Sequence, residues 1–172
     1  HVIPTRYFSI PTRLLDYICE RHCTVLIWAV SAMCMISQLN GFLYRVPKDV
    51  KKVLFSGEVM PIRHLTEWQK ALPEAMFVNL YGPTEITCNC TYFVVDRAYR
   101  SDEPIPMGKP FANETVFLLN EKNELVERAN TTEAGEVCVA GTCLALGYLG
   151  EPKRTAKAFV QNPLNPRWRQ TI

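Results

Sequence analysis

Apolar side chains in the first half of the chain recur with a spacing that switches between strand and helix. Short continuous apolar runs are typical of buried strands, whereas apolar positions three or four residues apart indicate amphipathic helices. Besides a short strand at Val2–Ile3, we expect strands at residues 23–30, 53–55 and 75–81 and helices at residues 11–21, 32–39 and 61–72. The alternation predicts parallel βαβ units with helices on both faces of one sheet, and a first full strand buried on both faces.

The pattern changes after Glu85. Three strand-like runs follow without helical spacing between them, at residues 91–95, 115–119 and 136–140. We expect a small antiparallel sheet or partial barrel there, and one more short helix at residues 151–159. The chain would therefore consist of an α/β subdomain at residues 1–95 and a partial β-barrel-like subdomain at residues 96–172.

Composition and charge narrow the classes of function. Apolar residues make up 48% and charged residues 21% of the chain, which is ordinary for a globular domain. A net charge of +2 without a basic stripe argues against nucleic-acid binding, and no apolar run approaches the length of a membrane span. Seven cysteines occur without a Cys-x-x-Cys pair, which argues against a zinc site and favours reduced cysteines in a cytoplasmic protein.

Several common signatures are missing from the sequence. Neither a Gly-x-x-x-x-Gly-Lys-Ser/Thr loop nor a Gly-x-Gly-x-x-Gly motif occurs, so groups that grip a phosphate would have to come from outside this chain. The three histidines are far apart and have no Ser or Cys elbow motif nearby, which argues against a hydrolase triad.

The clearest chemistry follows the third long strand, in the stretch Asn79-Leu80-Tyr81-Gly82-Pro83-Thr84-Glu85. A Gly-Pro pair breaks a strand abruptly, and in open α/β sheets ligands bind beyond the carboxyl ends of the strands. There the Tyr81 ring could stack on a flat base, Thr84 could donate to a phosphate oxygen, and Glu85 could hold a hard cation such as Mg²⁺. The alternative is an ordinary strand-turn with a buried tyrosine and a solvated glutamate.

Gly57 and Glu58 follow the strand at residues 53–55 in the same manner. The carboxyl ends of parallel strands emerge at one edge of a sheet, so this pair and the 79–85 motif could form two walls of one crevice. Alternatively, Glu58 only supports the N-terminus of the helix that Pro61 opens, where a negative charge is favourable.

The 79–85 motif resembles the core motif of the adenylate-forming superfamily. A second stretch is similar to the "Gly-Glu-Leu … Gly-Tyr … Thr-Ala-x-x-Phe" block of amino-acid adenylation domains: it runs from Gly135-Glu136 through Gly147-Tyr148 to Thr155-Ala156-Lys157-Ala158-Phe159. Residues 54–58 and 107–110 match in the expected order. The resemblance spans nearly the whole chain and is greatest to nonribosomal peptide synthetase adenylation domains and D-alanine–carrier protein ligases.

This resemblance implies an activity and a set of site residues. Such enzymes convert an amino acid and MgATP into an aminoacyl adenylate, then pass the acyl group to the phosphopantetheine thiol of a peptidyl or acyl carrier protein. Thr84 and Glu85 would be catalytic, with Glu85 binding Mg²⁺ and Tyr81 stacking on adenine. The nucleotide site would consist of Asn79, Leu80, Tyr81, Gly82, Pro83, Thr84, Gly57 and Glu58. The amino-acid site would include Ile27, Leu54, Ser56, Leu80, Cys88 and Asn89.

Four parts of the family's machinery have no match in this chain: the phosphate loop, the Asp that holds the substrate amine, the ribose-binding Thr-Gly-Asp and the lid Lys. We therefore expect an internal fragment, inactive alone, that contains most of a flavodoxin-like subdomain and part of the barrel. Within the enzyme class, the alternative is a D-alanine–carrier protein ligase. Outside it, the alternative is a non-catalytic flavodoxin-like nucleotide-binding module.

Overall fold

The computed structural model describes residues 1–127, 132–167 and 169–172. The helices are α1 (Pro11–Glu20), α2 (Val30–Gln38), α3 (Gly41–Tyr44), α4 (Ile62–Ala71) and α5 (Pro152–Ala158). The strands are β1 (Val25–Ala29), β2 (Lys52–Ser56), β3 (Met76–Tyr81), β4 (Thr91–Val94), β5 (Lys109–Pro110), β6 (Glu114–Leu119) and β7 (Glu136–Gly141).

The chain divides into two compact units. The first unit contains residues 1–80 and 93–108, and the second contains residues 81–92 and 109–172. The assignment of residues 1–95 to a flavodoxin-like subdomain and of residues 96–172 to a barrel-like one stays a prediction.

A parallel sheet organises the first unit, with β2 between β1 and β3. Ile27 pairs with Leu54, and Leu54 pairs with Val78, so the three strands present these residues side by side. Next to β3 lies β4, after which the Val95 amide donates to the Phe77 carbonyl oxygen at 2.9 Å. The predicted α/β class, a parallel sheet with flanking helices, is confirmed.

Trp68 is the centre of the core that joins helices to this sheet. It is fully buried on α4, and its indole N–H donates to the Met33 carbonyl oxygen of α2 at 3.0 Å. The rings of Trp28 and Phe42 meet it edge-on, with centroids 6.0 and 4.8 Å away. Because a buried indole N–H needs an acceptor, this bond sets where α4 sits along α2.

The prediction that the first full strand is buried on both faces is wrong for β1. Leu26 and Trp28 are buried, whereas Val25 and Ile27 are exposed. Successive side chains on a strand point to opposite faces, so β1 buries only one of them among the described residues.

Two other local features differ from the predicted elements. Val2 and Ile3 form no strand. α2 ends at Gln38, close to the predicted stop at Asn40-Gly41; Asn40 is in the left-handed conformation with φ of 53°, and Gly41 then begins the one-turn helix α3. A helix of one turn is too short to produce a visible apolar period.

Antiparallel β6 and β7 organise the second unit, paired over six residues. Val139 and Ala140 are neighbours on β7 but belong to different apolar clusters, one containing Ile86 and the other containing Leu119. The two faces of this small sheet are thus each partly covered. The predicted second, antiparallel sheet is present.

Ser37 and His64 form a buried polar pair in the first unit. His64 Nδ1 lies 2.7 Å from Ser37 Oγ, and Arg63 Nε donates to His64 Nε2 at 3.0 Å. Because Nε2 accepts, the ring proton is on Nδ1 and is donated to Ser37, whose hydroxyl donates to the Cys34 carbonyl oxygen at 3.1 Å. The histidine therefore does not act as a base toward the serine, and the pair is structural.

We predict that His64 makes stability fall at acidic pH. Burial, and secondarily the charge of Arg63, hold the pKa of His64 below its ordinary value in the folded state. The unfolded chain then binds a proton that the folded chain excludes, so stability is lost as the pH falls below about 6.5. Urea unfolding between about pH 7.5 and about pH 5 should show a steeper loss in wild type than in His64→Asn, whose amide can still reach Ser37. Equal slopes would contradict this assignment.

Candidate active site

The predicted motif ends β3 and continues into a tight loop of residues 82–89. β3 ends at Tyr81, and residues 84–86 form one turn of 3-10 helix. The Cys90 amide then donates to the Tyr81 carbonyl oxygen at 2.8 Å. The loop therefore begins and ends at one hydrogen-bonded point, which limits how far its side chains can move.

Thr87 and Cys88 turn the chain back with positive φ values of 55° and 90°. A β-branched residue in this region is unfavourable, by roughly 1–2 kcal/mol. Two hydrogen bonds hold Thr87 there: its amide donates to the Thr84 carbonyl oxygen at 3.1 Å, and its hydroxyl to the Cys143 carbonyl oxygen at 2.7 Å. Strained backbone that its surroundings fix in this way is common at functional sites.

Gly82 allows the two ends of the loop to approach each other. A Cβ atom at this position would lie 2.6 Å from Asn89 Cα and 2.8 Å from the Cys88 carbonyl oxygen. Both neighbours are backbone atoms, so they could not move aside without opening the loop.

We predict that Gly82→Ala destabilises the second unit by about 1–3 kcal/mol, the usual effect of overpacking. Gly150→Ala is the matched control, because φ at Gly150 is +73° but its Cβ would meet nothing within 4 Å. Gly150→Ala should lose only the stability that an L-residue costs at positive φ, on the order of 1 kcal/mol. Chemical denaturation measures both; since Gly82 is not at positive φ, its loss would be steric, and a Gly82→Ala loss well below about 1 kcal/mol would exclude the steric explanation.

Glu85 is half-buried and is held by a residue far away in sequence. One carboxylate oxygen accepts a hydrogen bond from the Tyr148 hydroxyl. This bond is the main reason that the pKa of Glu85 lies below its ordinary value, and Arg154 lowers it further. The same bond raises the pKa of Tyr148. The environment thus keeps Glu85 ionised.

Arg154 completes this cluster from α5. Its guanidinium carbon lies 4.0 Å from the centroid of the Tyr148 ring, and Phe159 meets that ring edge-on with centroids 5.6 Å apart. The tyrosine that orients Glu85 is therefore itself fixed on two sides. Tyr148 and Arg154 were not among the predicted site residues, and their positions within the second matched stretch were the signal that could have pointed to them.

A cavity of about 570 Å³ adjoins this cluster within the second unit. Pro83, Glu85 and Ile86 line one side, and Lys157 of α5 contributes a positive charge. Its size is within the range of small-molecule sites.

The other predicted nucleotide residues divide between the units. In the second unit, Tyr81 and Gly82 are half-buried, while Pro83 and Thr84 are exposed. In the first, Asn79 donates to the Pro106 carbonyl oxygen at 3.0 Å, and Leu80 is buried. Gly57 and Glu58 are exposed just after β2, with Gly57 at φ of +93°.

Three predicted amino-acid-binding residues share one face of the parallel sheet. Ile27 lies opposite Leu54, and Ser56 is two residues beyond Leu54 on β2. Ile27 is 68% exposed, and the other two are half-buried. This face is therefore the less covered one and is available for contact.

Cys88 and Asn89 belong to the 82–89 loop of the second unit. Cys88 is exposed, and Asn89 Nδ2 lies 3.3 Å from its sulfur. Asn89 Oδ1 is buried and has no hydrogen-bond partner among the residues that the structure describes. A buried acceptor without a donor is unfavourable, so this oxygen is suited to an incoming N–H or O–H group.

Glu85 also fits a site for Mg²⁺. Within the described part of the chain, no three His, Cys, Asp or Glu side chains cluster as metal ligands. Mg²⁺ commonly takes only one or two carboxylates and completes its shell with water and substrate phosphates, so a single ionised Glu85 is adequate.

Among the residues that the structure describes, no helix has the length and apolar character needed to cross a membrane.

The fold is that of an α/β protein with a parallel sheet and a small second sheet, and its candidate site is the loop after β3. Residues 1–149 match the family model described as AMP-binding enzyme, and the chain belongs to that family. It is 32% identical over 165 residues to Delta-poly-L-ornithine synthetase of Acinetobacter baumannii (strain AB307-0294). The aligned region covers 94% of this chain and 11% of that protein.

Solved structures agree with this membership. The crystal structure of IdnL1 is 26% identical with a TM-score of 0.86, covering 98% of this chain and 34% of that one. The structure of PA1221, an NRPS protein containing adenylation and PCP domains, is 28% identical with a TM-score of 0.80, covering 94% and 32%. The chain thus spans about a tenth of the ornithine synthetase and about a third of each solved chain.

Proposed function

We propose that this chain is the middle of an amino-acid adenylation domain, in a protein that forms an aminoacyl adenylate from an amino acid and MgATP. The observation that carries the proposal is the fixed loop after β3, with Tyr81 at its entrance and Thr84 and an ionised Glu85 within it. Its occurrence in a member of the AMP-binding family supports this reading.

Nucleotide binding is assigned to the loop and the end of β2. The half-buried Tyr81 ring stacks on adenine, and the exposed Thr84 hydroxyl donates to a phosphate oxygen. The remaining nucleotide contacts come from Asn79, Leu80, Gly82, Pro83, Gly57 and Glu58. Asn79 donates one side-chain N–H to the Pro106 carbonyl oxygen, so its second N–H and its amide oxygen remain for a ligand in the first unit.

Glu85 holds the metal ion in this proposal. Its carboxylate is oriented by the Tyr148 hydroxyl and kept ionised by that bond and by Arg154. Bound Mg²⁺ would neutralise charge on the phosphates as pyrophosphate leaves. The protein's own contribution is to present one ionised oxygen ligand in a fixed direction.

The acyl group then passes to the phosphopantetheine thiol of a carrier protein. Support comes from PA1221, which contains adenylation and PCP domains. The amino acid itself would contact Ile27, Leu54 and Ser56 on the sheet face, together with Leu80, Cys88 and Asn89.

The direct test is amino-acid-dependent exchange of pyrophosphate into ATP by the protein that contains this chain. Exchange above the background without amino acid supports the function, and its absence with every amino acid tried would overturn it. The isolated chain should stay at background, because the family's phosphate loop and lid lysine have no match in it.

We predict that Tyr81→Ala and Glu85→Gln affect different kinetic constants. Loss of stacking should raise the KM for ATP about 5- to 150-fold, since base–aromatic stacking contributes roughly 1–3 kcal/mol in both ground and transition states. Glu85→Gln keeps an oxygen for the Tyr148 hydroxyl but removes the charge. It should lower kcat by about 10²–10³-fold, as loss of one electrostatic group does elsewhere. Steady-state kinetics with varied ATP and Mg²⁺ separate the two effects.

Two variants serve as controls for this pair. Tyr81→Phe keeps the ring and should retain the KM for ATP, and Glu136→Gln removes an exposed charge from the same cavity without touching Tyr148. If Glu85→Gln leaves turnover and Mg²⁺ dependence unchanged, the metal role of Glu85 is wrong.

We predict a substrate whose side chain is small or medium and uncharged. None of the residues assigned to the amino-acid site is an Asp, Glu, His, Lys or Arg, and burying an unpaired charge costs several kcal/mol. Ser56 and Asn89 allow a polar neutral side chain, and the partnerless Asn89 Oδ1 favours one that carries a donor. A panel in the exchange assay measures preference and includes D-alanine and L-ornithine. Preference for aspartate, glutamate, lysine, arginine or ornithine would contradict the prediction.

A further inference from the structure

Residues 142–148, here called the 142–148 loop, contact the candidate active site at three points. The Cys143 carbonyl oxygen accepts from the Thr87 hydroxyl at 2.7 Å, and the Ala145 amide donates to the Glu85 carbonyl oxygen, also at 2.7 Å. Tyr148 donates to the Glu85 carboxylate. All three bonds lie within the second unit, and together they fix both the backbone and the side chain of Glu85.

The start of this loop is anchored by Glu114 of β6. One carboxyl oxygen, Oε1, accepts from the Thr142 hydroxyl at 3.0 Å and from the Cys143 amide at 3.1 Å. The end of the loop is anchored differently, since the Tyr148 amide donates to Thr155 Oγ1 on α5 at 2.9 Å.

Glu114 occupies an unusual position for a carboxyl group. The residue is only 7% exposed, and its second oxygen, Oε2, is buried without a hydrogen-bond partner in the described ranges. Gly141 lies opposite it on β7, where a Cβ would come within 2.0 Å of Oε2. Burying a half-satisfied carboxyl group is unfavourable. The two hydrogen bonds that Oε1 accepts, from the Thr142 hydroxyl and the Cys143 amide, offer a reason for burying a carboxyl group at this position.

We propose that Glu114 is a positioning residue for Glu85, acting through the 142–148 loop. Glu114 Oε1 fixes the Cys143 amide, and the carbonyl group of Cys143 fixes Thr87 in its left-handed conformation. The Ala145 amide and the Tyr148 hydroxyl then set the direction of Glu85. The inference rests on the proposed function for its catalytic consequence, but the structural coupling stands without it.

The test compares two substitutions in the complete protein that contains this chain. Glu114→Gln keeps a carbonyl oxygen at the position of Oε1, whereas Glu114→Met has similar volume and no acceptor. We expect Glu114→Met to lower kcat about 10- to 100-fold with the KM for the amino acid nearly unchanged, because small misplacements of a catalytic group have effects of this size. Glu114→Gln should retain kcat to within about threefold of wild type, which corresponds to about 0.65 kcal/mol.

Hydrogen exchange supplies a readout that does not depend on activity. The amides of Ile86 and Thr87 donate to the carbonyl oxygens of Pro83 and Thr84 at 3.3 and 3.1 Å, so they report whether the 3-10 turn is held. Both should exchange faster in Glu114→Met and at the wild-type rate in Glu114→Gln. Leu119→Ala is the matched control, since it removes core packing from the same strand, in the apolar cluster that does not include Leu144 of the 142–148 loop.

Each outcome decides the inference. The inference is supported if Glu114→Met, but neither Glu114→Gln nor Leu119→Ala, loses both kcat and the hydrogen-exchange protection of the Ile86 and Thr87 amides. It is overturned if Glu114→Met keeps both, if Glu114→Gln loses as much, or if Leu119→Ala at equal destabilisation gives the same losses. Should Glu114→Met fail to fold, Thr142→Val removes one of the two donors and must show the same losses in weaker form. If the wild-type protein shows no pyrophosphate exchange with any amino acid, the proposed function fails. Hydrogen exchange at the Ile86 and Thr87 amides then decides by itself whether Glu114 positions Glu85.

Discussion

The hydrogen bond from the Cys90 amide to the Tyr81 carbonyl oxygen is the constraint on which the candidate active site depends. It closes the 82–89 loop at its base, and the closure is possible only because Gly82 has no side chain where residues 88 and 89 pass. With the base closed, the chain must reverse within the loop, which places Thr87 and Cys88 at positive φ. The strain follows from the closure, and at Thr87 it is offset by hydrogen bonds that Thr87 donates to the carbonyl oxygens of nearby Thr84 and distant Cys143.

Two other residues distant in sequence, Tyr148 and Arg154, set the ionisation state of Glu85 in this loop. Glu85 is adjacent in sequence to Thr84 and Ile86, neither of which carries a charge. Its low pKa comes first from Tyr148 and to a lesser degree from Arg154. A carboxylate that is ionised and oriented before a ligand arrives needs little reorganisation when a cation or phosphate binds.

Most of the fold could be predicted from the sequence. The alternation of strand and helix runs in the first half gives the parallel sheet, because apolar period and strand propensity are local properties. The three runs after Glu85 give the antiparallel pair in the same way. The errors have local causes too: α3 is shorter than any detectable period, and Val2–Ile3 is apolar without pairing with a strand. Burial of β1 was misjudged because composition alone does not show how many faces neighbouring elements cover.

Less of the candidate site could be predicted. The sequence by itself determined the family, since the 79–85 motif and the second stretch occur in the right order. It also determined that Tyr81 ends a strand and that Thr84 and Glu85 follow it. Only the tertiary structure decided that Tyr148 holds Glu85, that Cys143 holds Thr87, and that Glu114 is buried beneath the loop they share. Hydrogen bonds between residues about 30 to 60 positions apart depend on how β6, β7 and α5 pack, and no local pattern of side chains encodes that packing.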